Sequence, residues 1–414
     1  MTPPSTARDL RRANRSAILR ELLFAGESTR QGLAGRTGLS AATVGLVIAD
    51  LLDEGLVHDV GTQESNGGRP RTLVRMAPDR GVTIGVDVGE RGVRVEAFDL
   101  AWQRRADVFL AAEPGGPDPA AVVASIVAAV RTVLDAAETG SGELLGIGVS
   151  VPGIVERGDD SLVHAVGFGW EGVPLGQLLR RAIDAPVVVD NGAKTMGQAE
   201  MWFGAGRGAA DAVIALLGIG VGAAVFTDGR LYRGSQSSAG EWGHAPIMVG
   251  GEPCRCGSRG CLEAYVGELA LLRQWASLDP DGPGAGAIDT DRLQALFTAA
   301  VDDDAAGQVV EQMAEHLGAG LATLINLFNP QRIVLAGSVG LRLTPPILDL
   351  IRTRAGRYSL RQPFESVEIA QGLLGHDAVA LGAATLVVDR LLSTGFNLSK
   401  SNSAAVPQLA GAIR

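Results

Sequence analysis

With 414 residues, 46% of them apolar, the chain has material for two or three domains with substantial cores. No 18 apolar residues run uninterrupted, and the arginine-bearing N-terminus has no apolar segment behind it, so we expect a cytoplasmic protein with reduced cysteines and no membrane partner. The net charge of −10 is uneven: residues 1–77 hold ten arginines against eight acids, and the acidic remainder leaves only this head suited to nucleic acid.

The head, taken as residues 1–80, has the pattern of a winged helix-turn-helix. Asn14 to Ala25 places Ile18, Leu19, Leu22 and Leu23 on one helical face. Ser28 and Thr29 cap a short helix containing Leu33 and Ala34, and Thr37-Gly38-Leu39 makes a tight turn. Ser40 caps a third helix, Ala41 to Glu54, with Val44, Val47, Ile48, Leu51 and Leu52 as its buried stripe. A strand after Val57, a polar tip, Arg69-Pro-Arg71 and a return strand from Leu73 to Met76 make a hairpin wing. Such a third helix enters the major groove of duplex DNA, and wing arginines reach phosphates or the minor groove. Arg30, Ser40, Ala41, Thr43, Arg69 and Arg71 are therefore the candidate DNA contacts. The small residues at the helix start suit apolar or hydroxyl contacts rather than bidentate ones. The alternative is a trihelical protein-interaction module.

The body that follows is α/β. Val82 to Gly89 is an apolar strand ending in Asp87 and Gly89, and Gly92 to Asp99 alternates as its antiparallel partner. Pro119 to Ala137 is an amphipathic helix, Leu144 to Val151 a buried strand ending at Pro152-Gly153, and Pro186 to Asn191 another strand. A helix follows from Lys194 to Phe203. Ala212 to Leu217, the Gly218-Ile219-Gly220 turn and Ala223 to Phe226 then repeat the opening strand, glycine turn and strand. That repeat predicts a duplicated, two-lobed body. The first lobe is expected over 81–191, completed by a terminal helix over 377–392, and the second over 192–376. Thr290 to Phe328 is largely helical, Arg332 to Ala336 and Val367 to Ile369 are strands, and 393–414 is a loosely ordered tail.

Within the second lobe all three cysteines of the chain, Cys254, Cys256 and Cys261, fall within eight residues, with His244 just upstream. Together they form a tetrahedral Cys₃His set for Zn²⁺, with Gly257 and Gly260 allowing the chain to fold back. Four protein ligands leave no open position, so the metal is expected to be structural. Buried free thiols are the alternative. Glu241 and Glu263 bracket the cluster and outline a ligand site.

The order of winged helix, glycine-turn strand pair, Pro152-Gly153, Asp190-Asn191, Gly-x-Gly-x-Gly at 218–222, Glu241-x-Gly-His244 and Cys254-x-Cys-Gly-x-x-Gly-Cys-x-Glu263 resembles the ROK family, over about residues 14–390. That family contains sugar-responsive repressors and sugar kinases with a two-lobed actin-like ATPase (ribonuclease H-like) fold. The winged helix resembles that of its xylose and N-acetylglucosamine repressor branch. The resemblance implies that Gly153, Asn191, Glu241, His244 and Glu263 contact a sugar. It also implies a DNA operator as partner and a homodimer or homotetramer. Hydroxyls suit carboxylate, amide and imidazole partners, and a metal on one ring nitrogen of His244 leaves the other to donate. Glu241 can instead cap a helix and Glu263 begin one.

The kinase machinery departs from the family's pattern. The first phosphate loop, Asp-x-Gly-Gly-Thr in the family, is here Asp87-Val88-Gly89-Glu90-Arg91, which places a negative charge where phosphates would lie. The second, usually Gly-Thr-Gly, is Gly218-Ile219-Gly220. Counting back from Glu200 places Gly192 on the family's catalytic aspartate, and glycine cannot accept a proton; loss of a general base costs roughly 10²–10⁴-fold. Asp190, at a strand end two residues before Gly192, is out of register with that position. The resemblance thus implies a sugar-responsive transcriptional regulator without catalytic residues. A sugar kinase with an appended DNA-binding head, or a constitutive DNA binder, is the alternative.

Overall fold

The computed structural model describes residues 6–63, 70–112, 118–137, 143–158, 160–282 and 290–396. Its first helix, α1 (Ala7–Ala25), begins seven residues before the apolar spacing indicates. A capping box starts it: Asp9 N donates to Thr6 Oγ1 at 3.2 Å and Thr6 N to Asp9 Oδ2 at 3.1 Å. The first two turns are arginine-rich and bury nothing fully, so periodicity gives no sign of them. Then come β1 (Glu27–Thr29), α2 (Arg30–Thr37) and α3 (Ala41–Asp53). Thr29 Oγ1 accepts from Gly32 N at 3.0 Å and Ser40 Oγ from Thr43 N at 3.1 Å, so both expected caps form. Gly38 turns the chain between the helices at φ +69°. Val44, Ile48 and Leu51 are buried, while Val47 and Leu52 are half-buried.

Strands β2 (Val57–Gln63) and β3 (Arg71–Met76) form the hairpin, with Gln63 opposite Arg71. β1 adds to the other edge of β3, giving the order β1-β3-β2. At three residues β1 is too short for alternation to reveal it. The wing tip, residues 64–69, lies outside the described residues, and the DNA contact expected of Arg69 lies there with it.

Contacts divide the chain into two compact units. The first comprises the described residues up to Ser150, Leu175–Val189, and those from Ala383 on. Its body contains β4 (Gly81–Gly89), β5 (Gly92–Asp99), β6 (Arg104–Ala111), α4 (Pro119–Ala136) and β7 (Glu143–Val151). α4 is long and apolar enough to cross a membrane, yet Val122, Ile126, Val130 and Val133 are buried where it packs on β5 and β6.

Next in the chain are β8 (Ile154–Val155), β9 (Leu162–Ala165) and β10 (Trp170–Pro174), a small antiparallel sheet of the second unit, which comprises Val151–Pro174 and Asp190–Gly382. Helix α5 (Leu175–Ala182) and β11 (Val187–Asn191) follow. The sheet of the first unit has the order β11-β7-β4-β5-β6.

The second unit continues with α6 (Gly192–Phe203), β12 (Ala212–Leu217), β13 (Val221–Thr227) and β14 (Arg230–Tyr232). Helices α7 (Glu263–Val266), α8 (Glu268–Leu278), α9 (Thr290–Ala299) and α10 (Asp304–Phe328) lead to β15 (Arg332–Ala336). The chain then runs through α11 (Gly337–Gly340), α12 (Pro345–Tyr358), α13 (Arg361–Ser366), β16 (Glu368–Gln371) and α14 (Ala378–Ser393). The second sheet, β14-β13-β12-β15-β16, repeats the wiring of the first: an antiparallel meander of three strands extended by parallel strands. Its core gathers β12, β13 and β15 with α8, α10 and α12 around Trp275, Phe297, Met313 and Leu321. Packing continues past the start of the expected tail, since Phe396 is fully buried; residues 397–414 lie outside the described residues.

Candidate functional site

A loop from the edge of the second sheet gathers the four side chains that could hold a metal, His244, Cys254, Cys256 and Cys261. His244 ends a 3-10 turn after Glu241, and Trp242 anchors that turn by donating its Nε1 to Gly320 O at 3.1 Å in the core. Cys254 and Cys256 sit in a tight turn closed by Gly257 N on Cys254 O at 3.0 Å and by Cys254 N on Ser258 O at 2.9 Å. Gly260 lies at φ +77°, and a Cβ there would stand 1.7 Å from Met248 O, so only glycine allows the chain to return to Cys261.

The four ligand atoms all lie within 4.8 Å of one another. Cys254 Sγ is 3.6 Å from His244 Nδ1, and Cys256 Sγ is 3.8 Å from Cys261 Sγ. A tetrahedron with metal–sulfur bonds of about 2.3 Å has sulfur–sulfur edges of about 3.8 Å, so the donor set fits Zn²⁺. A disulfide is not formed, as all three cysteines are free. Burial pushes the Cys254 thiol up to about 12, so a metal would have to displace its proton. The nitrogen turned toward the cysteines is Nδ1, which leaves Nε2 of His244 for another partner.

The candidate sugar contacts lie in the same unit. Asn191 closes β11 and caps α6: its Oδ1 accepts from Ala193 N at 2.9 Å and Lys194 N at 3.3 Å. Its Nδ2 donates to Gly153 O at 2.6 Å. Gly153 lies at φ +82°, and a Cβ would stand 2.1 Å from His164 O, so the Pro152-Gly153 turn admits no side chain. One Nδ2 proton of Asn191 is left for a ligand.

The two carboxylates separate in role. Glu263 begins α7, and its Oε2 accepts from Val221 N at 2.9 Å. Glu241 does not cap the turn it precedes. Burial raises its pKa, while Lys194 and His244 oppose the rise. Among the described residues its carboxylate accepts no hydrogen bond, which leaves both oxygens for a ligand.

Two cations near Glu241 escape motif reasoning. Lys194 is 2% exposed inside α6 and donates through Nζ to Ser237 O, pinning the loop that leads to Glu241. Burial lowers its pKa, and Asp190 and Glu241 raise it. Arg233 Nη2 meets Asp190 Oδ2 at 2.5 Å, and Asp190 Oδ1 accepts from Asn191 N at 2.8 Å. Asp190 is thus committed to structure. The one available signal is scarcity, since Lys194 is one of two lysines in the chain.

The two glycine turns, at 89–92 and 218–220, are each closed by backbone pairing. Gly89 pairs with Gly92, so Glu90 and Arg91 form a two-residue hairpin turn. Gly218 N donates to Gly220 O at 3.0 Å, and Val221 N is held by Glu263. Gly192 is the first residue of α6 and supplies no proton acceptor.

In the head, Ser40, Ala41 and Ala42 are exposed at the start of α3, Thr43 and Arg30 are half-buried, and Arg71 is exposed on the wing. Thr43 Oγ1 lies 2.9 Å from Ser40 Oγ, so both hydroxyls sit on the helix start. Leu46, assigned to neither the stripe nor the contacts, is 71% exposed on the same helix.

The ROK family model matches residues 83–390. The xylose repressor of Bacillus spizizenii is 28% identical over 383 residues, which cover 92% of this chain and 97% of that protein. A crystal structure of a ROK family transcriptional regulator, a homolog of the E. coli MLC protein, is similar with TM-score 0.78 over 94% of this chain and 98% of that one. At 23% identity it speaks for the fold. A ROK family glucokinase from Streptomyces griseus, solved with glucose and AMPPNP, matches with TM-score 0.65 at 29% identity over 75% of this chain and 100% of that one. These matches support the fold expected from the sequence, an α/β body of the actin-like type behind a helix-turn-helix head, and the chain belongs to the ROK family.

Proposed function

We propose that this protein is a sugar-responsive DNA-binding transcriptional regulator, a repressor, whose kinase-like body senses its effector without phosphorylating it. The observation that carries the reading is the likeness to the xylose repressor of Bacillus spizizenii over 92% of the chain. Ser40, Ala41, Thr43, Arg30, Arg69 and Arg71 contact the operator. Gly153, Asn191, Glu241, His244 and Glu263 form the sugar site. Of these, Glu241 and His244 Nε2 have the most freedom to bind hydroxyls, while Asn191 and Glu263 chiefly hold the turns in place.

The protein works as a homodimer or homotetramer in the cytoplasm, so that paired heads meet paired half-sites. Zn²⁺ on His244, Cys254, Cys256 and Cys261 is structural: it fixes the imidazole through Nδ1 and the loop that carries Glu241. A sugar bound by Glu241 and His244 shifts the population between DNA-competent and DNA-incompetent states, by no more than its difference in affinity for the two. Kinase inactivity rests on Gly192, Glu90 and the closed Gly218 turn. The domain division proposed is a head over 1–80, lobes over 81–191 and 192–376, a completing helix over 377–392 and a tail.

Likeness to the Streptomyces griseus glucokinase favours a second reading, a sugar kinase carrying a DNA-binding head. A coupled assay of ATP turnover over a sugar panel separates the two: sustained phosphorylation of any sugar establishes the kinase, and none supports the regulator.

A further inference from the structure

The loop that delivers Glu241 carries strain at its middle. Its ends are tied: Ala239 N donates to Arg233 O at 3.1 Å, and Gly240 O accepts from Ala223 N of β13 at 2.8 Å. Gly240 sits so close to that strand that a Cβ would stand 1.9 Å from Ala223 O. Between these ties Ser237 is 1% exposed and lies at φ +65°. That left-handed conformation crowds Cβ against the following carbonyl, and a residue other than glycine keeps it only where its surroundings hold it. Among the described residues Lys194, through Nζ, is the one side chain that donates to Ser237 O.

The placement of Lys194 suits that contact. It lies in the first turn of α6, with its own N–H on Asn191 Oδ1 at 3.3 Å, and is 2% exposed. The same turn packs on β13, since a Cβ at Gly222 would stand 3.2 Å from Ala193 Cβ. Burial disfavours the ammonium, Asp190 and Glu241 favour it, and Arg233 and Arg157 oppose it. Among the described residues the ammonium forms no ion pair with either carboxylate, and Ser237 O is its one hydrogen-bond partner. A buried charge that serves a single backbone carbonyl fixes the path of the chain at that carbonyl.

We infer that Lys194 is a positioning residue of the effector site: it clamps Ser237 in the left-handed conformation and so sets Glu241, four residues on, to receive sugar hydroxyls. The inference rests on the sugar-sensing reading and adds to it a residue on which the shape of the site depends. Because the clamp acts through the backbone, Ser237→Gly should make it dispensable, as glycine takes φ +65° without strain. No such rescue is open to a lysine that touches the sugar itself.

The test is calorimetric titration of the full-length, zinc-loaded protein with D-xylose, D-glucose and N-acetyl-D-glucosamine. The tightest binder then serves as the probe for Lys194→Met and for Lys194→Met combined with Ser237→Gly. Lys194→Met removes the ammonium and keeps the stem, and should weaken the probe at least about ten-fold, the loss of one charged hydrogen bond. The combined variant should bind the probe about five-fold more tightly than Lys194→Met. Hydrogen–deuterium exchange of the sugar-free proteins reads the clamp itself. The amides of residues 234–241 should exchange faster in Lys194→Met and slow again in the combined variant, while those of residues 254–261 stay as in wild type.

Probe affinity unchanged in Lys194→Met overturns the inference and leaves sugar sensing standing. A loss that Ser237→Gly does not repair also overturns it, and makes Lys194 a direct contact instead. Should Lys194→Met lose its zinc or its fold, exchange in the wild type decides: saturating probe that slows the 234–241 amides supports the inference, and a loop that the probe leaves unchanged overturns it. A wild type that binds none of the three sugars sinks both the inference and the reading beneath it.

Discussion

Replacing Cys261 with serine removes one corner of the metal set and tests the geometry of the whole loop. Cys261 is fully buried, and its Sγ stands 3.8 Å from that of Cys256. A serine hydroxyl keeps its proton near neutral pH and is a poor partner for zinc. Structural zinc in small folded peptides contributes about 10–16 kcal/mol over four ligands, so one lost ligand weakens binding by about 3 kcal/mol, or about a hundred-fold. The assay is competition for zinc against a chromophoric chelator, with the metal content of the purified protein measured in parallel. The wild type should hold one zinc per chain, with affinity that falls as pH falls because protons compete for thiols such as Cys254, already pushed up to about 12. Folding stability follows: ligand at a thousand times its Kd adds about 4 kcal/mol, most of which the variant loses. A Cys261→Ser protein that keeps its zinc within a few-fold of wild-type affinity, or a wild type that takes up none, refutes the reasoning.

Three further outcomes can be checked. Gly192→Asp restores a carboxylate at the base position and, at the start of α6, is tolerated or mildly stabilising by about 0.3–1 kcal/mol. It should not restore phosphorylation, because Glu90 and the closed Gly218 turn remain; a coupled ATP assay showing turnover would contradict this. Burial raises Asp87 to about 6, so between about pH 4 and 6 the native state binds more protons than the unfolded one and stability falls as pH rises through that window. Asp87→Asn should therefore be more stable than wild type at pH 7.5 by at most about 3 kcal/mol, with the gap closing near pH 4; denaturant melts that show the gap widening at acid pH would count against it. Asn191→Ala loses the cap on α6 and the tie to Gly153 O, which should cost about 1–2 kcal/mol in denaturant unfolding, whereas Asn191→Asp keeps the cap. Equal stability of the alanine variant and wild type would show that the cap carries no weight.

Elements with an apolar face and a side-chain cap are the ones legible in the sequence. Ser40 caps α3, β12 and β15 have the bounds that their unbroken apolar runs suggest, and Gly257 and Gly260 both take positive φ where the cysteine turn needs them. Elements that lack such a face escape. The first turns of α1 are charged, and β1 and β14 have three residues each.

At the site, residue type and spacing single out the four side chains that the fold brings within 4.8 Å of one another, because they lie close in the chain. The roles of Glu241 and Glu263 could not be told apart that way. Which carboxylate is taken by a backbone N–H depends on Val221, 42 residues from Glu263, and no local pattern encodes that contact. Lys194 and Arg233 are hidden for the same reason. Their partners, Ser237 and Asp190, come together only when the β14 loop folds over α6.

The central claim is that the head binds duplex DNA under control of a sugar held in the body. Its most direct test is a fluorescence-anisotropy titration of the zinc-loaded protein on fragments recovered from its own genome by selection. Each titration is run with and without neutral and acidic sugars, at fixed salt. The account predicts binding at least a thousand-fold tighter than to random duplex, shifted about ten-fold or more by one class of sugar. Binding no tighter than to random duplex, or tight binding that no sugar moves, contradicts it.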